Sequence, residues 1–284
     1  MSPPSFRGRA PAFIAGERPQ NGEGARLEAT LRARRDAGHK LLVPYVTGGL
    51  GDDWLDVVRA VAAAGADAVE VGLPFSDPVM DGPVIQEASA RALAAGATPA
   101  GLVAALARAD AGVPLVVMTY YNLVFRAGHR RFARSLVEAG VGGAILPDLP
   151  LEELGDWSRA ADDAGVATIL LAAPTTPDDR LAAICARSRG WVYGVGLLGV
   201  TGERDALAAS AARMGRRLKT VTDLPVLIGV GVSTPEQAVG AAAESDGVIV
   251  GSALVRRLLD GAGPEGAADF VASLRAALDT RLRG

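Results

Sequence analysis

The sequence predicts an α/β fold, namely a single (β/α)₈ TIM barrel with an extra N-terminal helix. Eight short apolar runs recur along the 284-residue chain, and segments with helical periodicity separate them. The runs are apolar at nearly every position, which is typical of parallel strands covered on both faces. Eight such units within about 250 residues favour a closed barrel over an open doubly wound sheet.

The predicted elements follow one another in a regular order. The strands are LLVPYV (41–46), AVEVG (68–72), PLVVMTY (114–120), GAILP (143–147), ATILLAA (167–173), WVYGV (191–195), PVLIGVG (225–231) and DGVIVG (246–251). Residues 26–37 predict the extra helix at the N-terminal end of the barrel, 84–110 two helices, and 266–282 the closing helix. The glycines that fit helix C-caps before a strand are Gly65, Gly140 and Gly165.

Composition sets the domain organisation and excludes several functions. Residues 1–24 carry prolines and charges and predict a flexible extension, whereas 25–284 form the catalytic barrel domain. The extension lacks the apolar core of a signal peptide, and no apolar run reaches the length of a membrane span, so a cytoplasmic protein is expected. A net charge of −3 gives no nucleic-acid footprint. One cysteine, Cys185, and two distant histidines, His39 and His129, provide neither a disulfide framework nor a metal site.

A glutamate interrupts the second apolar run and is the first candidate for catalysis. Alternation along 68–72 places Ala68, Glu70 and Gly72 on one face, which we interpret as the barrel interior. A carboxylate in an apolar strand costs free energy unless it is paired or used. An ion pair is the structural alternative, but none of the eight runs contains a basic residue. Asp81 follows in the next loop, in a segment that is also typical of a turn. Together the two carboxylates predict proton-transfer chemistry at the C-terminal end of the barrel.

Three glycine-bearing turns in the second half of the chain predict an anion site. GVTG (199–202) follows the sixth predicted strand, GVGVSTPEQ (229–237) the seventh, and GSA (251–253) the eighth. Glycine lets backbone N–H groups approach an anion closely, and a helix N-terminus adds its dipole. Phosphate sites of barrels are commonly built from the loops after strands 7 and 8. One glycine pair would be typical of an ordinary turn, but three converging turns favour a phosphate-ester ligand.

These motifs resemble those of the tryptophan synthase alpha chain family. The likeness lies in VEVGLPFSDPVMDGPVIQ around Glu70, in GVTG, GVGVSTPEQ and GSA, and in VPYVTGG, MTYYNLVF and LPDLPLEE. It extends from about Gly24 to the C-terminus. The resemblance implies a lyase that cleaves indole-3-glycerol phosphate to indole and glyceraldehyde 3-phosphate by a retro-aldol reaction. It implies no cofactor and no metal in this chain.

The resemblance also implies roles for individual residues. Glu70 matches the catalytic acid–base, Asp81 the partner that accepts the indole N–H, and Tyr193 a tyrosine near the glutamate. Thr201 matches a threonine in a loop that moves in the family, and Asp148 an aspartate tied to signalling with the partner chain. The matches for phosphate contact are Gly202, Gly231 and Ser252, with Gly229 and Gly251 adjacent.

A partner is a further implication of the resemblance. The family works with a beta chain that carries pyridoxal phosphate, so an alpha2beta2 assembly is expected. The apolar and aromatic residues of LPDLPLEE and MTYYNLVF predict an exposed contact surface for that partner.

Two departures leave alternatives open. Gly196-Leu197-Leu198 stand where polar residues often precede the GVTG turn, which puts closure of that loop in doubt, and Val230 stands where phenylalanine is frequent. The alternatives are a stand-alone lyase that releases free indole, a catalytically weak activator subunit, and a generic sugar-phosphate isomerase barrel. Intact Glu70 and Asp81 argue against the activator.

Overall fold

Eight parallel strands close into a barrel in which each strand pairs with its neighbours in chain order. This computed structural model describes residues 22–196, 204–229 and 231–280. Strand β8 pairs with β1 and thereby closes the sheet, so the predicted (β/α)₈ barrel is confirmed. The strands are β1 Leu41–Thr47, β2 Val69–Gly72, β3 Leu115–Met118, β4 Val141–Ile145, β5 Ala167–Ala172, β6 Val192–Val195, β7 Val226–Gly229 and β8 Gly247–Val250.

Helices surround the barrel and connect its strands. In the described part of the chain they are α1 Glu23–Asp36, α2 Trp54–Ala63, α3 Pro83–Ala94, α4 Pro99–Leu106, α5 Tyr121–Ala127, α6 His129–Glu138, α7 Gly155–Ala164, α8 Asp178–Arg187, α9 Arg204–Lys219, α10 Pro235–Ala241, α11 Ser252–Leu259 and α12 Gly263–Thr280. A 3₁₀ turn, Leu151–Glu153, precedes α7. The extra helix, the pair of helices within 84–110 and the closing helix are therefore confirmed, with small shifts of their ends.

Apolar clusters lie on both sides of the strands in the described part of the chain. Val69 and Val71 pack outward against the helices, whereas Ala68 belongs to the interior cluster. Leu27 and Leu31 of α1 join that interior cluster, so α1 covers the N-terminal end of the barrel. The prediction that alternate residues of the second strand face the interior is confirmed.

Differences from the predicted boundaries have local causes. The third strand ends at Met118 rather than at 120. Tyr120 keeps an extended conformation but is the N-cap residue of α5. Gly65, Gly140 and Gly165 all have positive φ, as expected of glycines that end helices. Cys185 is buried on α8.

The described part of the predicted extension is short. Helix α1 begins at Glu23, and 1–21 lie outside the described residues, so the division at residue 24 stays a prediction. No single helix in the described ranges has the length and apolar character needed to cross a membrane. One pair, α3 with α4, passes that test jointly but is bent by 94°.

Candidate active site

A cavity of about 220 Å³ opens at the C-terminal ends of the strands. It brings together residues from the loops after β2, β7 and β8 and from the inner faces of β1, β2 and β6. No lysine or arginine is among the described residues that line it. They are Tyr45, Glu70, Met80, Asp81, Gly82, Ile85, Met118, Ile145, Pro147, Leu171, Tyr193, Val195, Gly229, Gly231, Ile249, Gly251 and Ser252.

Glu70 lies on the inner face of β2 and is almost fully buried, with 1% of its surface exposed. Its register partner on β1 is Tyr45, which faces the same cavity. The oxygen Oε2 of Glu70 has no hydrogen-bond partner among the described residues. Burial, and to a smaller extent the negative charge of Asp81, raises the pKa of Glu70 to about 8. At neutral pH this carboxyl group therefore holds a proton that it can give away.

Asp81 lies in the loop between β2 and α3 and is half-buried. The hydroxyl of Tyr120 donates a hydrogen bond to Asp81 Oδ2 over 3.1 Å, and the side-chain amide of Gln86 donates to the Asp81 carbonyl over 2.9 Å. Burial raises the pKa of Asp81 to about 6, and the Tyr120 hydrogen bond acts in the opposite direction. The two carboxyl groups thus share one cavity but titrate at different pH, which allows them different roles.

Two phenols, the buried Tyr45 and the partly buried Tyr193, share the cavity with Glu70, and each lies over a glycine of the neighbouring strand. A Cβ on Gly72 would stand 1.9 Å from Tyr45 Oη, and one on Gly229 would stand 2.5 Å from Tyr193 Oη. Burial, and then the charge of Glu70, holds the pKa of Tyr193 well above its usual value. Tyr193 thus lines the same cavity as Glu70, and both glycines make room for a ring.

The predicted anion-binding residues that the structure describes share this cavity with the two carboxyl groups. Gly229, Gly231, Gly251 and Ser252 all line it, and Ser252 begins helix α11. Gly231 has φ +69°, a left-handed conformation that favours glycine. Backbone N–H groups at a helix start form an anion-binding arrangement. Gly202 and Thr201, which the resemblance also assigned, lie outside the described residues, as do Leu197, Leu198 and Val230.

Asp148 lies away from the cavity lining, in the exposed loop after β4. Its carboxylate accepts the backbone N–H of Tyr121 at 2.9 and 3.1 Å, so it ties that loop to the first residue of α5. The predicted exposed surface is correct for Phe125, with 64% exposure, but wrong for Leu149 and Leu151, which are buried because they pack into the outer core.

Sequence reasoning did not single out several residues that line the cavity or, like Tyr120, contact a residue that lines it. Tyr45 and Tyr120 stand within motifs that carried the resemblance, yet no role was predicted for either. Strand alternation could have placed Tyr45 inside, because its register partner is Glu70. The apolar lining residues that were also missed come from the inner faces of four strands: Met118, Ile145, Leu171 and Ile249.

The fold and the site together define a barrel of the enzyme type, with two carboxyl groups and several glycine-bearing turns at the C-terminal ends of its strands. Comparison with known proteins narrows this class. The family model for the tryptophan synthase alpha chain matches residues 31–278. The chain therefore belongs to the tryptophan synthase alpha chain family, whose members are the lyase subunits that cleave indole-3-glycerol phosphate.

Relatives and solved structures agree with this assignment. The tryptophan synthase alpha chain of Halorhodospira halophila is 45% identical over 269 residues, covering 92% of this chain and 98% of the relative. That of Thermobifida fusca is 44% identical, covering 90% and 99%. A crystal structure of tryptophan synthase subunit alpha from Legionella pneumophila has a TM-score of 0.82 at 32% identity, covering 90% and 98%. A structure of Mycobacterium tuberculosis tryptophan synthase has a TM-score of 0.82 at 38% identity, covering 89% and 98%.

Proposed function

We propose that this cavity cleaves indole-3-glycerol phosphate with Glu70 as acid and base and Asp81 as its partner. The observation that carries the proposal is that two carboxyl groups of raised pKa line the same cavity as glycine-bearing turns. Such a cavity accommodates a substrate with a phosphate at one end and the bond to be broken at the other.

The chemistry requires two proton transfers at different atoms. Carbon C3 of the indole takes a proton, the bond from C3 to the glycerol carbon breaks, and the adjacent glycerol hydroxyl loses its proton to give the aldehyde. Glu70 is protonated at neutral pH, so it supplies the first proton and, as a carboxylate, accepts the second. Asp81 titrates lower and is ionised at neutral pH, so it accepts the indole N–H and stabilises the positive charge that develops there.

The phosphate is held by backbone groups rather than by cations. No lysine or arginine is among the described lining residues, whereas Gly231, Gly251 and Ser252 are among them. Each charge-assisted hydrogen bond contributes about 1.5–3 kcal/mol, so three or four would anchor the substrate.

A beta chain with pyridoxal phosphate is the partner in this proposal, in an alpha2beta2 assembly in the cytoplasm. The structure from Mycobacterium tuberculosis is named for tryptophan synthase as a whole, which supports a partner but not a stoichiometry. The exposed side chain of Phe125, beside the loop that Asp148 ties down, supports a contact surface at this end of the barrel.

Product analysis tests the proposed reaction. The purified chain is incubated with indole-3-glycerol phosphate, and indole and glyceraldehyde 3-phosphate are measured separately. Formation of both in equal amounts is the expected result. If the substrate is instead isomerised with its indole carbon bond intact, the site is that of a sugar-phosphate isomerase and the proposal is wrong.

A further inference from the structure

Tyr120 connects three loops at the rim of the cavity. It follows β3, is 3% exposed, and directly precedes α5. Its ring stacks on Phe75 in the loop after β2, with centroids 5.0 Å apart and planes at 25°. The next residue, Tyr121, is bound through its N–H to Asp148 of the loop after β4. The ring is therefore restrained on its face and along its backbone.

The hydroxyl of Tyr120 accepts one hydrogen bond and donates another. It accepts the backbone N–H of Met80 at 2.9 Å and donates to Asp81 Oδ2 at 3.1 Å. Since the Met80 N–H occupies a lone pair of the phenol oxygen, the O–H is directed toward the carboxylate. No other hydrogen bond to this carboxylate is formed among the described residues, so Oδ2 is fixed and Oδ1 is left for a ligand.

We propose that Tyr120 is a positioning residue that holds the Asp81 carboxylate by Oδ2 and presents Oδ1 to the substrate. The inference rests on the proposed function, in which Asp81 accepts the indole N–H. A carboxylate on a loop has freedom of rotation, and catalysis needs it in one geometry. The Tyr120 hydroxyl supplies that restraint, and the stack on Phe75 restrains the hydroxyl in turn.

The electrostatic surroundings keep the Tyr120 hydroxyl protonated, so that it remains a hydrogen-bond donor. Among the residues that the structure describes, the titratable groups that interact with Asp81 are Glu70 from β2, Tyr45 from β1, Tyr193 from β6 and Tyr120 itself, and none of these is a cation. Burial, with a contribution from the charge of Asp81, raises the pKa of Tyr120 to about 12. The phenol therefore remains a donor throughout the neutral range. Its hydrogen bond stabilises the ionised form of Asp81, which would titrate at higher pH without it.

The variant Tyr120→Phe tests the inference because it keeps the ring and its stack and removes only the hydroxyl. Tyr121→Phe is the matched control, since that hydroxyl bonds to His129 and not to the carboxylate. In Tyr120→Phe we expect kcat/KM at neutral pH to fall roughly tenfold, the effect of one hydrogen bond to a charged group. We also expect the acidic limb of the pH profile of kcat/KM to move upward by about half a pH unit or more. The control should show neither change.

The outcomes separate this inference from the proposed function. Asp81→Asn should be strongly impaired, and adding Tyr120→Phe to it should cause no further loss, because the carboxylate to be held is gone. If Asp81→Asn is as active as wild type, the proposed role of Asp81 is wrong. If Asp81→Asn is impaired while Tyr120→Phe is normal, only the positioning role is wrong. A loss in Tyr120→Phe that is equal at every pH would mean a structural contribution alone, and would also overturn it.

Discussion

Glu70 is buried, and burial disfavours the charged form of a carboxyl group. Its proposed chemistry follows from that placement. The side chain is 1% exposed, and within the described part of the chain one of its oxygens is unpartnered and no lysine or arginine lines the cavity. A free-energy cost of this kind is tolerated at catalytic sites, where a shifted pKa serves proton transfer. The neighbouring phenols of Tyr45 and Tyr193 are neutral, so they do not compensate the carboxylate charge.

The first prediction at this scale is that Glu70→Gln abolishes the proton shuttle while the fold is kept. A general acid–base group contributes about 10²–10⁴-fold, and a group used in two steps should lie at the upper end. Steady-state indole formation measures the effect. The matched control is Asp77→Asn, an exposed carboxylate of the same loop whose side chain, within the described ranges, is hydrogen-bonded to Ser76 alone. Turnover of the Glu70 variant within threefold of wild type would contradict the assignment.

The pKa of Glu70 also predicts how stability depends on pH. The folded chain titrates this group at about 8, whereas the ordinary value is 4.5. Between these two values the folded state holds a proton that the unfolded state releases, so the contribution of Glu70 to the free energy of unfolding falls as pH rises. Glu70→Gln removes that loss. Urea unfolding should therefore show the variant gaining stability over wild type by a few kcal/mol between about pH 4.5 and about pH 8.5. A difference that does not change with pH would show that the carboxyl group is not perturbed.

At the scale of elements, the turns after β7 and β8 are shaped by the helices that follow them. Thr234 caps α10 through Gln237, which fixes the end of the loop that contains Gly231, and Gly251 precedes α11. Two loops thus place glycines and Ser252 at the same cavity, beside the starts of two helices. This arrangement depends on backbone geometry, so a side chain that carries the wrong charge should disturb it.

We predict that Ser252→Asp and Gly231→Asp weaken the binding of glycerol phosphate by several kcal/mol, because each carboxylate repels the phosphate. The matched controls are Ser252→Asn and Gly231→Asn, because asparagine has nearly the same size as aspartate but no charge. At residue 231 both replacements must adopt the same left-handed backbone conformation. Titration calorimetry gives the affinities. Equal binding by the aspartate and asparagine variants at both positions would remove the phosphate assignment.

The sequence predicted elements and strand faces better than it predicted loops. Alternation was sufficient to place Glu70 inside, because a strand has a fixed period of two. The bond between Tyr120 and Asp81 joins residues 39 positions apart and depends on the path of two loops, which no periodicity encodes. The prediction that Leu149 is exposed was wrong for a similar reason. Its loop folds back onto the outer core, and local composition does not encode the path of a loop.

At the scale of the whole molecule, the C-terminal end of the barrel carries both the site and its exposed apolar residues. Val79 and Met80 in the loop after β2 are exposed by 80% and 54%, and Phe125 on α5 is exposed by 64%. Met80 is adjacent to Asp81, and its N–H binds Tyr120. A partner that covers these residues would therefore touch the loop that holds one of the two carboxyl groups.

We predict that a cognate beta chain raises indole formation by one to two orders of magnitude, roughly 1–3 kcal/mol of coupling. A partner shifts the loop only by its differential affinity for the two loop states, so a contact residue should set the size of the effect. Phe125→Asp should reduce activation and co-elution while the activity of the isolated chain is kept. Val221→Asp is the matched control, because Val221 is also an exposed apolar residue but precedes β7, at the opposite end of the barrel. Rates and size-exclusion profiles with and without the beta chain are the measurements. High activity of the chain alone, with no activation and no co-elution, would instead establish a stand-alone lyase.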